Sequence, residues 1–146
     1  MTGWKKRRPQ GIDEEIARWV LDQPPQLRQL RIALQQAVAA RAVPDPAALE
    51  ELAERLILVA TELAGNALRH GRPPTVVALL RADGHLILDV ADNEPGAVPV
   101  TGVPRAPGTG GLGLHLAERF AEQVGWYATA SDKHVWAEFA LPGAGH

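Results

Sequence analysis

The stretch Gly108-Thr109-Gly110-Gly111-Leu112-Gly113-Leu114 is a glycine-dense loop running into an amphipathic segment. Such a loop lets successive backbone N–H groups close on an anion, and a helix N-terminus adds its dipole, so the first chemistry on offer is phosphate binding. The letters satisfy G-x-G-x-x-G from Gly108 to Gly113, but a dinucleotide-binding turn needs a strand running straight into its first glycine. Pro95, Pro99, Pro104 and Pro107 occupy that place and exclude a central strand. No lysine followed by serine or threonine closes the loop, so it is not a P-loop either. What remains is a proline-rich flap ending in a phosphate-cradling helix start.

Two further groups could serve such a site. Glu62, Asn66 and Arg69 are spaced four and three apart, which puts them in one narrow stripe of a helix, with His70 beside them at its end. Asp92 ends an apolar run and is followed by Asn93-Glu94-Pro95-Gly96. A carboxylate at a strand end can accept a hydrogen bond from an exocyclic amino group such as that of adenine. Taken singly, the stripe also reads as a solvated helix face and Asp92 as a turn residue. The five histidines, at 70, 85, 115, 134 and 146, show no metal-ligand spacing in sequence.

The elements that must position these residues follow from periodicity. Ile16 to Leu21 reads as a short strand, ended by Asp22 and Pro24-Pro25. Leu27, Leu30, Ala33, Leu34, Ala37 and Val38 recur at helical spacing from Gln26 to about Arg41. Asp45 is placed to cap the next helix and Pro46 suits its first position. That helix carries the Glu62 stripe and runs from about Ala47 to His70, where Gly71 and Pro73-Pro74 stop it. Thr75–Leu80 and His85–Ala91 flank Ala82-Asp83-Gly84 as a hairpin. The flap, a helix over Leu112–Gln123 and a second hairpin, Gly125–Ala130 with His134–Leu141, complete the chain. The order β-α-α-ββ-α-ββ predicts an α+β class, a two-layer α/β sandwich whose mixed, mostly antiparallel sheet is covered by helices on one face.

Composition bounds the rest. With 146 residues a single domain is expected, over 16–142, between a flexible basic tail (1–15) and a short C-terminal tail (143–146). A net charge of −2 gives no global field for nucleic acid or an anionic membrane, and the Lys5-Lys6-Arg7-Arg8 run reads as a solvated tail. The absence of cysteine removes disulfides, thiol chemistry and cysteine-bound zinc, and fits a cytoplasmic setting. No apolar stretch follows the basic run as a signal peptide requires, and none is long enough to span a membrane.

The helix stripe, then Asp-x-x-Pro-Gly, then a flap and G-x-G-G-L-G-L resemble, in that order, the GHKL-type ATPase and histidine-kinase ATP-binding domains (Bergerat-type fold). Within that superfamily the chain looks most like the small anti-sigma factor serine/threonine kinases. The N box is Glu62 to Gly71, the adenine box Asp92 to Gly96, the second glycine box Gly108 to Leu114, and Lys133-His134-Val135-Trp136 matches the terminal hairpin.

The resemblance implies ATP and Mg²⁺ as cofactors, with Asn66 as the metal ligand and Asp92 on the adenine amino group. Gly96 would belong to the adenine box. Gly108, Thr109, Gly110, Gly111, Leu112, Gly113 and Leu114 would hold the phosphates, with Arg69 or His70 adding positive charge. Glu62 would be the catalytic base that takes the proton from a serine hydroxyl. The implied partners are a sigma factor and a STAS-type antagonist, with a homodimer formed through the Gln26–Arg41 region. Glu94 departs from the family, standing where many relatives have glycine, and Arg105 is the lone cation between Thr101 and Thr109.

Two other functions compete. One is a non-catalytic ATP-binding module that sequesters its partner, and the other a detached histidine-kinase ATP-binding domain. A carboxylate at Glu62 favours an enzyme, since a pure binder has no use for one beside the γ-phosphate.

Overall fold

The computed structural model describes residues 2–3, 5–41, 45–94, 100–101 and 112–142. In chain order these form β1 (Thr2–Gly3), β2 (Ile12–Leu21), a 3₁₀ turn (Pro24–Gln26), α1 (Leu27–Ala39), α2 (Pro46–His70), β3 (Thr75–Ala82) and β4 (His85–Asp92). Then follow β5 (Val100–Thr101), α3 (Leu112–Phe120), β6 (Gln123–Ala128) and β7 (Lys133–Ala140).

The expected α+β sandwich is what the chain forms. A five-stranded sheet runs β2-β3-β4-β7-β6, with every neighbouring pair antiparallel. β1 and β5 form a separate two-residue antiparallel pair. The helices pack on one face. Alternation along β4 sends Leu86, Leu88 and Val90 toward them, where they join Leu30, Leu34, Leu56, Val59 and Leu63 in the core. Ile87 points the other way and packs with Ala82 and Trp136.

α2 is fixed at both ends by local chemistry. The Asp45 carboxylate accepts from the backbone N–H of Ala47 (3.1 Å) and Ala48 (3.3 Å), and Pro46 occupies the first turn, where its missing donor costs nothing. At the other end Gly71 caps the helix and donates to the Ala67 carbonyl at 2.8 Å. Between the caps Leu49, Leu52, Ala53, Leu56, Val59, Ala60, Leu63 and Ala64 are buried, so the helix owes its position to one apolar face.

The structure corrects the sequence reading in three places. The first strand starts at Ile12 rather than Ile16, because residues from Ile12 onward find partners along β3. α3 ends at Phe120 instead of continuing to Gln123, because Glu122 donates its backbone N–H to Glu138 (2.8 Å) and Gln123 pairs with the same residue, so the sheet captures the chain. The basic run is exposed, as expected, yet its backbone is not free: the Arg7 N–H donates to the Trp126 carbonyl (2.7 Å) and the Trp126 N–H to the Lys5 carbonyl (3.1 Å), in a parallel bridge along β6. Arg7 lies over Trp136, whose indole N–H donates to the Arg7 carbonyl at 2.9 Å, and Arg8 lies over Tyr127 at 4.3 Å. Cation–π contact and backbone pairing hold this segment against β6 and β7.

Candidate functional site

The C-terminal end of α2 meets the end of β4. A Cβ built on Gly71 would come within 2.4 Å of the Asp92 Oδ2 and 2.8 Å of the Ala67 carbonyl oxygen, so the helix stop is also the place where backbone closes on the carboxylate. Asp92 continues the helix-facing set of Leu86, Leu88 and Val90 and is 3% exposed. One of its oxygens accepts the Glu94 backbone N–H at 2.8 Å, and the Lys133 ammonium stands 3.6 Å from the other. Burial pushes the Asp92 carboxyl above its ordinary range, against the Glu94 N–H and Lys133, which favour the charged form. The loop beneath is tied by Asn93, which donates its backbone N–H to the Arg72 carbonyl (3.0 Å) and its side-chain amide to the Pro73 carbonyl (3.1 Å).

Asn66 lies five positions before Gly71, about 7 Å along the helix axis. Its side-chain carbonyl oxygen is buried and has no hydrogen-bond partner among the described residues. Thr75 presents a second such atom: its hydroxyl is buried and unpartnered. Because Val76 pairs with Ala91, Thr75 lies across from Asp92 in the register. Leaving a buried polar atom without a hydrogen bond costs about 1–3 kcal/mol, and α2 and the start of β3 each carry one. A buried carboxamide oxygen without a protein partner suits a polar or cationic ligand group.

Glu62 is half-buried one helical turn before Asn66. Arg69 is exposed, and its guanidinium lies back over Gly65, where a Cβ would be 3.3 Å from Nη1. His70 is exposed at the helix end. Glu94, the departure from glycine, is held by Arg72 at 2.9 Å, so its charge is paired rather than turned toward a phosphate.

Leu112, Gly113 and Leu114 form the first turn of α3. Phe120, at the other end of α3, sits 5.9 Å from the Arg55 guanidinium and shares a groove with Ala48 and Leu52 of α2. The end of α3 is therefore beside the first half of α2. Gly96, Gly108, Thr109, Gly110 and Gly111 lie outside the described residues. Lys133, Arg72 and Thr75 are the participants that sequence spacing missed. Strand register delivers Lys133 and Thr75 to Asp92, and no local pattern announces that.

Comparison with known proteins supplies a family and a fold. The family described as histidine kinase-like ATPase domain matches residues 20–139. A signal transduction histidine-protein kinase, AfsQ2 of Streptomyces coelicolor, is 35% identical over 92 residues, covering 53% of this chain and 17% of the kinase. Among solved structures, that of the RsbU and RsbW domains of Rv1364c from Mycobacterium tuberculosis superposes with a TM-score of 0.57 at 18% identity. It covers 86% of this chain and 32% of that one, and shows the same fold. The chain thus spans a minor part of each of these relatives. No helix among the described residues is long and apolar enough to cross a membrane.

Proposed function

Because the chain belongs to the histidine kinase-like ATPase domain family, we propose that it is an ATP-binding regulatory protein of the cytoplasm, an anti-sigma factor with serine kinase activity toward a STAS-type antagonist. The observation that carries the nucleotide site is the buried, partnerless carbonyl oxygen of Asn66 at the end of the fold where Asp92 is held. In this reading Asp92 accepts the adenine amino group and Asn66 gives an oxygen to Mg²⁺, a hard cation that such a ligand fits. Gly108, Gly110, Gly111 and Gly113 and the first turn of α3 offer backbone N–H groups to the phosphates. Arg69 and His70 stand at the helix end, where a cation offsets phosphate charge.

Bound Mg-ATP would supply the transferable phosphoryl group. Glu62 would accept the proton of the attacking serine hydroxyl, a task that needs a carboxylate in reach of the acceptor rather than one bound in an ion pair. Glu62 has no such pair among the described residues, which supports the assignment. Phosphate added to the antagonist would then break its complex by placing charge at the interface, and a freed chain would bind its sigma factor, as a homodimer.

The test is to mix the full chain with Mg-ATP and candidate antagonists and look for phosphoserine, with Glu62→Ala as control. The kinase reading predicts transfer that falls about 100-fold or more in the variant, the scale of a lost general base. Undiminished transfer would remove Glu62 from its role, and no transfer to any antagonist would leave a partner-sequestering binder. The 35% identity to a histidine kinase supports a second reading, an ATP-binding domain that serves a histidine on another protein. Acid-labile phosphohistidine on the acceptor, in place of phosphoserine, would identify it.

A further inference from the structure

At the far end of β4 from Asp92, three side chains from three elements converge. His85 opens β4, Glu122 links α3 to β6, and Glu138 lies in β7. One ligand atom from each lies within 4.8 Å of both others. His85 Nε2 and Glu122 Oε2 are already 3.0 Å apart. His85 Nδ1 is 2.8 Å from the Asp83 carbonyl oxygen, a group that can only accept, so Nδ1 carries a proton and donates it. That bond fixes the tautomer and turns Nε2 toward the carboxylates, the arrangement in which metal-bound histidines are found.

We propose that His85, Glu122 and Glu138 form a binding site for a borderline divalent cation of the Zn²⁺ class. The donor set, one imidazole and two carboxylates, neutralises a divalent charge and suits Zn²⁺, whose bonds to such ligands are about 2.0–2.2 Å. An imidazole ligand disfavours Mg²⁺, which separates this site from the nucleotide's metal. In the metal-free protein both ring nitrogens face acceptors, so a proton on Nε2 occupies the place of the cation. Metal binding replaces the Nε2 proton and leaves Nδ1–H on Asp83. Ligands drawn from β4, β7 and the α3–β6 link make the ion a clasp between the sheet and the end of α3. The residues are separated by 37 and 16 positions (122 − 85, 138 − 122), which is why sequence spacing shows no motif.

The experiment uses the full chain, freed of metal by chelation and without nucleotide, titrated with zinc chloride. Calorimetry and side-chain ¹⁵N spectra of the histidines are read together. The site predicts that Zn²⁺ moves the His85 Nε2 resonance while Nδ1 stays protonated, and that Mg²⁺ leaves Nε2 unmoved. His85→Gln and Glu138→Gln should each weaken Zn²⁺ at least about tenfold, the scale of losing a ligand or its orienting partner. A His85 Nε2 resonance unmoved at saturating Zn²⁺ would overturn the proposal, as would the same zinc affinity in both variants. The wild-type spectra decide even if a variant fails to fold, and neither readout depends on ATP.

Discussion

Two buried carboxylates, Asp89 and Asp92, lie three positions apart on β4 and therefore face opposite sides of the sheet. Asp89, on the side without helices, is held within the protein: His134 Nδ1 is 2.7 Å from one oxygen and the Tyr127 hydroxyl donates to the other at 3.4 Å. The Tyr127 and His134 rings stack at 4.4 Å, and Arg8 covers Tyr127. Asp92, under the end of α2, has one backbone N–H and a lysine at 3.6 Å, and the buried oxygens of Asn66 and Thr75 find no partner among the described residues. Equal burial thus serves different ends. A carboxylate surrounded by its own partners is part of the scaffold, whereas one left short of them is, in the proposed function, the one that meets the nucleotide.

The sharpest way to break this contrast is to remove Asp89. Asp89→Ala leaves His134 and Tyr127 without their acceptor and should cost about 3 kcal/mol of stability in urea unfolding, with nucleotide affinity unchanged. Asp92→Asn should do the reverse. It should weaken ATP by about 100-fold, or about 2.7 kcal/mol, while the melting temperature holds or rises. The sign follows from the raised Asp92 carboxyl: the folded state keeps its proton to higher pH than the unfolded chain, so stability is full below the ordinary carboxylate range. That contribution is lost as pH climbs through the raised value. The loss should disappear from the pH profile of Asp92→Asn. A variant that unfolds at neutral pH would show Asp92 to be structural after all.

Tyr127 gives the scaffold side its own signature. It is the single tyrosine, pushed up to about 12 chiefly by burial and then by Asp89. Its phenolate absorbance should therefore rise about two pH units later than that of a free tyrosine, and revert toward the free value in Asp89→Asn. Gly71→Ala bridges the two regions: its Cβ would meet the Asp92 oxygen, so it should cost about 1–2 kcal/mol through the forced shift and weaken ATP with it. The smallest effect is expected from Arg72→Ala. The Arg72–Glu94 pair is exposed on the arginine side, so stability should move by no more than about 0.5 kcal/mol.

Much of the Asp92 side was legible in sequence because its signals are local. Asp45-Pro46 and Gly71 bracket α2, and a spacing of four and three puts Glu62, Asn66 and Arg69 on one stripe. The Asp89 side was not legible. Asp89 reads as a polar interruption of an apolar strand until register brings Trp136 opposite it and His134 within reach. The Lys5–Arg8 segment reads as a tail because the aromatic rings that order it lie about 120 residues later and become neighbours only when β6 pairs with β7. Lys133 reaches Asp92 in the same way, as its cross-strand partner.

In the proposed function the unpartnered oxygen of Asn66 and the buried Asp92 belong to one Mg-ATP site. Calorimetric titration of the full chain and of Asn66→Ala with ATP, each with and without Mg²⁺, tests it most directly. The wild type should bind tightly and need Mg²⁺ to do so, and Asn66→Ala should keep a weak residual affinity that Mg²⁺ no longer improves. Absence of binding to the wild type, or a Mg²⁺ dependence unchanged in Asn66→Ala, would contradict it.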